Sequence, residues 1–301
     1  HGSMKAREIW DILCESAWKS ADPGIFFIGT NKHMQNSYYF EDHNTTNPCA
    51  EIPLAPDGVC NLGSMNLTKY VFPTRFSGYY FNFNAFTNDV RTAVRMLDRV
   101  IDLTPYPFPE IEDKQRNGIR RIGLGTMGLA DALIMMGVRY GSEEAIQWTE
   151  ILYKSLRDAA YSESIELSKE YGPFGEFNRD KFLSSGFART LPSHMRSDIH
   201  THGIRNCFLL TQAPTGTTSM LAGVSSGIEP NYAFKMKRRI RNPDTNEFEE
   251  FEYNAPILDW LENNSISQST IESVMVTTMD VTPEEHVRMQ AAAQKYVDQS
   301  I

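Results

Sequence analysis

The sequence predicts an α/β chain, because strand-like and helical segments alternate along it. Residues 59–71 and 206–213 have strand character, while apolar residues recur at helical spacing over 89–103 and 143–171. The chain has 301 residues, of which 41% are hydrophobic and 22% are charged. This composition is typical of an ordinary globular core, and the length accommodates one large domain or two.

The charge and the cysteine content exclude several classes of protein. A formal net charge of −9 argues against broad nonspecific binding to nucleic acid, although a local pocket can still attract an anionic nucleotide. No apolar run has the length of a bilayer span and no signal peptide is visible, so no membrane association is expected. Four dispersed cysteines are too few for a disulfide-stapled secreted fold. We therefore expect a cytoplasmic protein.

The first elements are a tag remnant and an amphipathic helix. His1-Gly2-Ser3 has the character of a tag remnant, so the folded domain is expected to cover 4–301. Residues 6–20 carry apolar side chains at four-residue spacing and predict a helix. Cys14 lies within that pattern and is expected to be buried by packing. The polar stretch 29–46 predicts a loop.

Two long helices, over 89–103 and 143–171, flank a glycine-rich run at 123–128. That run matches G-x-G-x-x-G formally. However, no long apolar strand precedes it and no acidic residue follows at the expected distance. We therefore predict that its glycines allow close packing of a following helix over 129–136, and that it binds no dinucleotide.

The polar stretch 172–203 predicts irregular structure. His194, His200 and His202 lie in it, but no acidic or thiol residue stands beside them in a ligand pattern. A solvated loop is the expected state, and no metal site is assigned.

A strand-like run at 206–213 leads into a loop rich in Gly, Thr and Ser, and a helical pattern opens at Met220. The loop consists of Pro214, Thr215, Gly216, Thr217, Thr218 and Ser219. Backbone N–H groups and hydroxyls that converge before a helix make a sound anion site. No Lys follows in the Walker pattern, and an ordinary turn is the alternative reading of this composition. Cys207, on the strand, is expected to be structural.

The last third of the chain begins with a basic cluster and ends with a capped helix. The cluster comprises Lys235, Lys237, Arg238, Arg239 and Arg241. We favour a solvated face for it over a contact with a partner domain, and we expect 242–254 to be an acidic surface excursion. Thr282, Pro283 and Glu285 form a capping box that starts the last helix, after which no closing strand is expected.

The residues with the strongest chemical character lie in Asn47-Pro48-Cys49-Ala50-Glu51-Ile52-Pro53-Leu54. The two prolines favour extended backbone around the triplet, and in an extended segment positions two apart point the same way. Asn47, Cys49 and Glu51 would then face one ligand as an amide, a nucleophile or radical carrier, and a proton acceptor. The alternative is an accident of composition, with Cys49 a small buried apolar residue.

A second thiol, Cys60, follows eleven residues after the first and begins a strand. Cys60, Leu62, Ser64 and Asn66 would share one face of that strand. A face that carries Cys, Ser and Asn is unusual for pure packing and suits a strand that meets a polar ligand.

These motifs together resemble the large subunit of ribonucleotide reductases. The string NPCAEIPL with CNLGSMNL resembles the family's active-site finger loop and following strand. Three later segments agree: RRIGLGTMGLADAL at 120–133, LLTQAPTGTTSM at 209–220 and SSGIEPNYAF at 225–234. The loop is most similar to the adenosylcobalamin-dependent (class II) branch. The resemblance implies part of a ten-stranded α/β barrel, comprising the finger and second half without the first half-barrel, the final strand or the C-terminal tail.

The resemblance also implies a role for each site residue in reducing ribonucleotides to 2′-deoxyribonucleotides. Cys49 matches the thiyl radical that abstracts the 3′ hydrogen, Glu51 the general base and Asn47 the amide that holds the sugar. Cys60 matches one thiol of the reducing pair. The loop from Pro214 to Ser219 matches the site for the substrate phosphates, with diphosphate and triphosphate both open.

The implied cofactor is adenosylcobalamin, and the implied partners are a first half-barrel polypeptide and a thioredoxin-type reductant. A homodimer of the full enzyme is also compatible with the resemblance. A class I catalytic subunit served by a metallo-radical partner is one alternative, and a non-catalytic fragment that only binds a partner is another. We expect the chain alone to be inactive.

Overall fold

A computed structural model describes residues 3–75, 78–242, 245–264 and 266–301. Its helices are α1 (Ala6–Ser20), α2 (Ile28–Met34), α3 (Phe83–Leu103), α4 (Pro109–Glu112), α5 (Leu129–Met135), α6 (Glu143–Tyr171), α7 (Arg179–Ser184), α8 (Ser193–His202), α9 (Gly216–Ala222), α10 (Pro256–Asn263), α11 (Gln268–Val274) and α12 (Pro283–Gln294). A π-helical segment (Asp113–Ile119) and two 3₁₀ turns (Leu67–Tyr70 and Ala188–Thr190) complete the helical structure. In the part of the chain so described, no helix combines the length and apolar character of a membrane span.

The strands form four pairs. They are β1 (Thr45–Thr46), β2 (Pro53–Leu54), β3 (Asn61–Asn66), β4 (Val71–Pro73), β5 (Tyr79–Phe81), β6 (Ile122–Met127), β7 (Lys235–Arg241) and β8 (Phe248–Asn254). Three pairs, β1–β2, β4–β5 and β7–β8, are antiparallel hairpins. The pair β3–β6 is parallel, from Asn61 opposite Ile122 to Asn66 opposite Met127.

The parallel pair is extended by the predicted strand-like run at 206–213. Ile122 N donates to Phe208 O over 3.1 Å, and Thr211 N donates to Leu124 O over 3.2 Å. The last residues join the same edge, because Gln299 N donates to Leu210 O over 3.2 Å. No strand is assigned after the last helix among the described residues, although the segment that follows it makes backbone hydrogen bonds to this edge. The α/β prediction fits this arrangement, and the sheet is not closed into a barrel within the described residues.

Helices α3 and α6 pack against each other, and α3 also packs against β3 and β6. The α6 bounds match the prediction, because Ser142 accepts from Ala145 N at the start and Gly172 lies at positive φ at the end. The start of α3 is earlier than predicted, since Asn82 provides a cap by accepting from Ala85 N. The capping box of Thr282 and Glu285 is confirmed at α12.

Gly123 and Gly125 of the glycine-rich run lie in β6, and Gly128 follows the strand at a φ of 79° as the residue before α5. A Cβ on Gly123 would lie 2.6 Å from Thr211 Cγ2, and one on Gly125 would lie 2.4 Å from Thr211 O. These glycines therefore allow the 206–213 segment to approach β6. The prediction that they allow close packing of α5 is wrong for this pair, because the sequence predicted the extended 206–213 segment but not its pairing with β6.

Two predicted loops contain helices. The 172–203 stretch folds into α7, a 3₁₀ turn and α8, and α8 buries Met195 and Ile199. The 29–46 stretch contains most of α2 and the strand β1. Short helices with few apolar positions give weak periodicity, which explains both errors. His194, His200 and His202 lie on α8, and the described ranges contain no group of acidic, thiol and imidazole residues that could hold a metal ion.

Helix α1 forms where predicted, but the expected burial of Cys14 is wrong. The thiol is exposed, and α1 has no buried residue. Its apolar positions Ile9, Trp10 and Trp18 are also exposed. The periodic pattern therefore predicted the helix correctly, but no described element packs on its apolar face.

The basic cluster forms β7 and the acidic stretch forms β8, in a hairpin whose described side chains are largely exposed. Lys237 and Glu252 form an exposed ion pair of 2.7 Å across the two strands. The solvated-face interpretation fits this exposure. Residues 243–244, within the predicted acidic excursion, lie outside the described residues, as does the side chain of Arg238.

Candidate active site

The predicted reaction centre lies at the tip of the β1–β2 hairpin, and this segment is a tight turn. Asn47 N donates to Ile52 O over 3.1 Å, and Ala50 N donates to Asn47 O over 3.0 Å. Ala50 has a φ of 70°, in the left-handed region that a non-glycine residue seldom adopts. The prediction of a continuous extended segment is therefore wrong, and side-chain alternation does not apply across Ala50.

The turn gives Cys49 and Glu51 different environments. Cys49 is exposed, whereas the Glu51 side chain belongs to a residue that is only 2% exposed. The alternative reading of Cys49 as a small buried apolar residue is contradicted by this exposure. The thiol lies at the tip of the hairpin, and the carboxylate lies inside it.

Asn47 and Glu51 are in direct contact, as a shared role requires. Asn47 Nδ2 donates to Glu51 Oε2 over 2.7 Å. The other end of the same amide, Asn47 Oδ1, accepts from Ile52 N over 3.0 Å. Since both ends of the amide are occupied, its orientation is fixed, and it fixes one oxygen of the carboxylate.

The backbone of Glu51 is held by the sheet. Thr211 Oγ1 donates to Glu51 O over 2.6 Å, and Ser300 N donates to the same carbonyl over 3.0 Å. These contacts join the hairpin tip to two segments that are distant in sequence. Thr211 lies three positions before the loop that starts at Pro214, so one side chain connects the hairpin with that loop.

Cys60 immediately precedes β3. Burial raises the pKa of its thiol to about 12; Arg121 and Gln299 act in the opposite direction, and the negative charges of Asp298 and Glu51 add to the rise. Cys60 is therefore a neutral thiol at physiological pH. The charge of Glu51 is the smallest of these influences on the Cys60 thiol. Cys49 and Cys60 are both free thiols.

The predicted polar face of β3 is only partly available to a ligand. Asn66 Oδ1 accepts from Thr68 N over 3.1 Å and from Thr68 Oγ1 over 2.7 Å, so it caps the following 3₁₀ turn. Leu62 is 46% exposed. Of the four positions on this face, Cys60 is the one whose thiol pKa is influenced by the charge of the hairpin carboxylate.

The Pro214–Ser219 loop leads directly into α9, which begins at Gly216 and not at Met220 as predicted. Thr215 adopts a φ of 57°, and its Oγ1 accepts from Gly227 N over 2.8 Å. Gly216, Thr217 and Thr218 are exposed in the first turn of the helix, and Ser219 is buried. The first N–H groups of a helix lack partners within it, so this turn presents donors at the surface.

Sequence reasoning missed four residues that shape the site. Thr211 lies within the segment LLTQAPTGTTSM, whose pattern does not single it out, and Asp298 and Gln299 lie beyond the last helix, where no pattern marks them. Arg121 lies within the segment RRIGLGTMGLADAL. It is 1% exposed and donates to Pro53 O over 2.6 Å, so it anchors the second strand of the hairpin.

Arg121 also belongs to a buried ion cluster behind the hairpin. It donates to Glu41 Oε2 over 2.9 Å. Burial disfavours ionisation of Glu41, but the contacts with His43, Arg121 and Lys114 outweigh it and lower its pKa to about 2. The charged groups under the hairpin are therefore paired, as buried charges generally are.

Comparison with known proteins gives a consistent match. The family model described as "Ribonucleotide reductase, barrel domain" matches residues 1–301. The vitamin B12-dependent ribonucleoside-diphosphate reductase of Thermoplasma acidophilum is 35% identical over 316 residues, which cover 99% of this chain and 38% of that protein. The protein of the same description from Mycobacterium tuberculosis (strain H37Rv) is 32% identical over 99% of this chain and 41% of its own length.

A relative of a different description matches less of the chain. The ribonucleoside-diphosphate reductase large subunit of vaccinia virus is 29% identical over 251 residues, 79% of this chain and 32% of that protein. The chain thus spans about two fifths of the length of the two vitamin B12-dependent relatives.

Proposed function

Since the chain belongs to the ribonucleotide reductase family, we propose that it forms part of a catalytic subunit that reduces ribonucleoside diphosphates to 2′-deoxyribonucleotides. The observation that carries this proposal is the Asn47–Glu51 pair, held at the hairpin tip by Thr211. The relatives are named diphosphate reductases, which favours a diphosphate over a triphosphate substrate.

In this proposal Cys49 starts the reaction as a thiyl radical. Loss of a hydroxyl from an unactivated carbon requires a radical at the neighbouring position. Cys49 would take the 3′ hydrogen atom of the ribose, its sulfur becoming a thiol again as the sugar becomes the radical. The exposure of Cys49 at the hairpin tip supports a role in contact with a substrate and with an external radical source.

Glu51 acts as the general base for the 3′ hydroxyl, and Asn47 keeps it in position. A general base must lie within hydrogen-bonding distance of the proton that it accepts. One carboxylate oxygen is occupied by Asn47, so Oε1 is proposed to accept from the sugar. The same amide would orient the sugar and its intermediates.

Cys60 supplies reducing equivalents as one of a pair of thiols that becomes a disulfide when the 2′ hydroxyl leaves as water. Its raised pKa keeps the proton on the sulfur before the reaction, which suits a group that must deliver a hydrogen to the substrate. The second thiol is proposed to come from the first half-barrel, as the family resemblance implies. A thioredoxin-type reductant would then restore both thiols.

The loop of Pro214, Thr215, Gly216, Thr217, Thr218 and Ser219 is proposed to bind the substrate phosphates. The exposed donors of Gly216, Thr217 and Thr218 support this role. The Thr215 hydroxyl is already occupied by Gly227 N, so it shapes the loop. Thr211 lies on the same segment and contacts Glu51, which fixes the spacing between the phosphates and the sugar.

Adenosylcobalamin is the proposed radical source. When bound, it supplies a carbon-centred radical that can take a hydrogen atom from a thiol. The Cys49 thiol is exposed, so it is accessible to a radical that approaches the hairpin tip from outside and takes its hydrogen atom. The vitamin B12-dependent relatives match 99% of the chain, whereas the vaccinia relative matches 79%, and this difference favours cobalamin over a metallo-radical subunit.

The experiment that tests this function is co-expression of the chain with a first half-barrel polypeptide. We expect deoxynucleoside diphosphates to form only when adenosylcobalamin and a dithiol are added, and the chain alone to form none. Product that requires a metallo-radical subunit and no cobalamin would replace the cobalamin proposal with the class I alternative. Absence of product with either radical source would identify a non-catalytic fragment.

A further inference from the structure

The loop that is proposed to bind phosphate is held at both ends by one segment, residues 225–231. Gly227 N donates to Thr215 Oγ1 over 2.8 Å, near the start of the loop. At the end of the loop, the hydroxyl oxygens of Ser226 and Ser219 lie 3.0 Å apart, which is hydrogen-bonding distance. The shape of the loop therefore depends on the position of the 225–231 segment.

The hydrogen bond from Gly227 reaches a strained point of the loop backbone. Thr215 has a φ of 57°, which a β-branched residue seldom adopts. A conformation of this kind persists where the surrounding structure holds it in place. Gly227 itself has a φ of 39°, which glycine adopts readily, and this turn directs its N–H at Thr215.

Asp131 holds the 225–231 segment at both of its ends. Asp131 Oδ2 accepts from Ser225 N over 2.7 Å, and Asp131 Oδ1 accepts from Asn231 Nδ2 over 2.9 Å. The backbone N–H of Asp131 also donates to Ser225 Oγ over 3.3 Å. One residue thus anchors the first and the last position of the segment, and the two residues that contact the loop lie between these anchors.

The Asp131 carboxylate is 2% exposed, and no cation among the described side chains forms an ion pair with it. Burial raises the pKa of this carboxyl, while the hydrogen bonds from Asn231 and Ser225 act in the opposite direction. A buried charge costs free energy unless hydrogen bonds compensate for it. Packing of α5 alone does not require such a group, so we attribute the carboxylate to its two anchoring contacts.

We propose that Asp131 is a positioning residue for the substrate phosphates, because it fixes the 225–231 segment and this segment fixes both ends of the phosphate loop. Asp131 acts through other residues and does not itself contact the substrate. This role rests on the proposed function, in which the loop binds the phosphates of a nucleoside diphosphate. It is separate from the role of Thr211, which contacts the backbone of Glu51.

Binding of inorganic pyrophosphate to the full chain, measured by calorimetry, tests this role without any need for turnover. Asp131→Ala removes both anchors of the segment. Asp131→Asn keeps them, because its oxygen accepts from Ser225 N while its nitrogen donates to Asn231 once that amide has turned over. Asn178→Ala is the control, because it removes a helix cap on α7, where Asn178 Oδ1 accepts from Lys181 N.

We expect Asp131→Ala to raise the Kd for pyrophosphate by about tenfold or more, since displaced binding groups lose much of their contribution. Asp131→Asn and Asn178→Ala should change the Kd less than about twofold, because both retain the support of the loop. Thr215→Ala removes the acceptor for Gly227 N. In that background Asp131→Ala should weaken binding by a smaller factor than in the wild type, because the two residues act in one chain of contacts.

Kinetics of the reconstituted enzyme distinguish positioning from a general loss of stability. We expect Asp131→Ala to raise KM for the nucleoside diphosphate by about tenfold and to change kcat less than about threefold, as the loss of uniform binding does. General destabilisation would instead reduce the amount of active enzyme and therefore the apparent kcat. A fall in kcat with an unchanged KM would exclude the positioning role.

Unchanged pyrophosphate affinity in Asp131→Ala would overturn the proposal, as would equal losses in Asp131→Ala and Asn178→Ala or the full loss in the Thr215→Ala background. If circular dichroism shows that Asp131→Ala does not fold, Asn231→Ala removes one anchor alone. It should raise the Kd by about threefold, and an unchanged Kd would be equally decisive.

The proposed function and the anchoring role fail in different ways. A wild-type chain that binds no pyrophosphate would refute the anchoring role together with the phosphate site. Pyrophosphate binding that Asp131→Ala weakens, in a reconstituted enzyme without reductase activity, would refute the proposed function and leave the role of Asp131 in place.

Discussion

Thr211 donates its hydroxyl to the carbonyl oxygen of Glu51 over 2.6 Å, although the two residues are 160 positions apart in the chain. The same hydroxyl lies 3.0 Å from Ser300 O. One small side chain therefore joins the hairpin tip, the segment that leads to the Pro214–Ser219 loop, and the end of the chain. The position of the Glu51 carboxylate relative to that loop depends on this contact.

Replacing Thr211 by Val should separate these elements. The valine keeps the shape of the side chain but removes the donor, so we expect a loss of about 1–2 kcal/mol in the free energy of unfolding. In the reconstituted enzyme we expect kcat to fall by at least about tenfold, because Glu51 is no longer held at a fixed distance from the phosphate loop. Urea denaturation and steady-state kinetics measure the two effects. Thr211→Ser retains the hydroxyl and should retain most of the activity; equal losses in both variants would refute this explanation.

The two exposed cysteines provide a matched pair for testing the radical role. Cys49→Ser should abolish reduction while changing the free energy of unfolding by less than about 0.5 kcal/mol, since the side chain is exposed. Nucleotide binding, measured by calorimetry, should be largely unchanged. Cys14→Ser alters an equally exposed thiol on α1 and should leave turnover intact. Turnover that persists in Cys49→Ser would remove the radical assignment.

The raised pKa of Cys60 predicts how its reactivity depends on pH. With a pKa of about 12, the thiolate fraction of Cys60 at about pH 8 is roughly a thousandfold below that of an ordinary thiol. Alkylation of Cys60 should be slower by the same factor. The alkylation rate should rise about tenfold per pH unit between about pH 7 and about pH 10, because it follows the thiolate fraction. Slow labelling caused by poor access of the reagent would not show this pH dependence. Iodoacetamide labelling followed by mass spectrometry of the Cys60 peptide measures this rate. Labelling that levels off near pH 8.5 in the folded chain would show an ordinary thiol.

The close approach of β6 and the 206–213 segment predicts a steric effect. A Cβ on Gly125 would lie 2.4 Å from Thr211 O, so Gly125→Ala must push the two segments apart. We expect a loss of about 1–3 kcal/mol or more in the free energy of unfolding, as for other overpacked sites. Gly29→Ala is the control, since its added Cβ meets no atom within 4 Å. Urea denaturation of both variants makes the comparison, and similar stabilities would contradict the close packing.

The sequence predicted those elements whose signals lie within them. The caps and the apolar stripe of α6 and α12 are local, and both helices were found where expected. Asn47 and Glu51 were correctly selected as neighbours, because their residue types and motif indicate shared chemistry. The place of Cys60 beside them stays a prediction.

The geometry that brings these residues together has no local signal. Ala50 adopts a left-handed conformation that its side chain does not favour, so the alternation argument could not reveal that Cys49 and Glu51 have different environments. Gln299 and Thr211 reach the site only through pairing with segments far away in the chain. Such contacts depend on tertiary structure, which single-sequence patterns do not encode.

Asp298 predicts a pH dependence of stability. Burial raises its pKa from 3.8 to about 6, despite the hydrogen bonds that it accepts from Tyr161, Leu210 and Leu209. Because the folded-state pKa lies above the unfolded one, the stability that this group contributes is present at low pH and is lost as pH rises through about 6. Between about pH 5 and about pH 8 the contribution should fall by about 1.5 kcal/mol.

Asp298→Asn removes this titration and is the variant that isolates it. The substitution also replaces one acceptor by a donor facing Leu209 N or Leu210 N, so the variant should be less stable than the wild type at both pH values. The difference in unfolding free energy between wild type and variant should nevertheless be larger at about pH 5 than at about pH 8, by about 1.5 kcal/mol. Urea denaturation of both proteins at the two pH values measures it. A difference that grows with pH would show that the hydrogen bonds outweigh burial and that the Asp298 pKa is lowered in the folded chain.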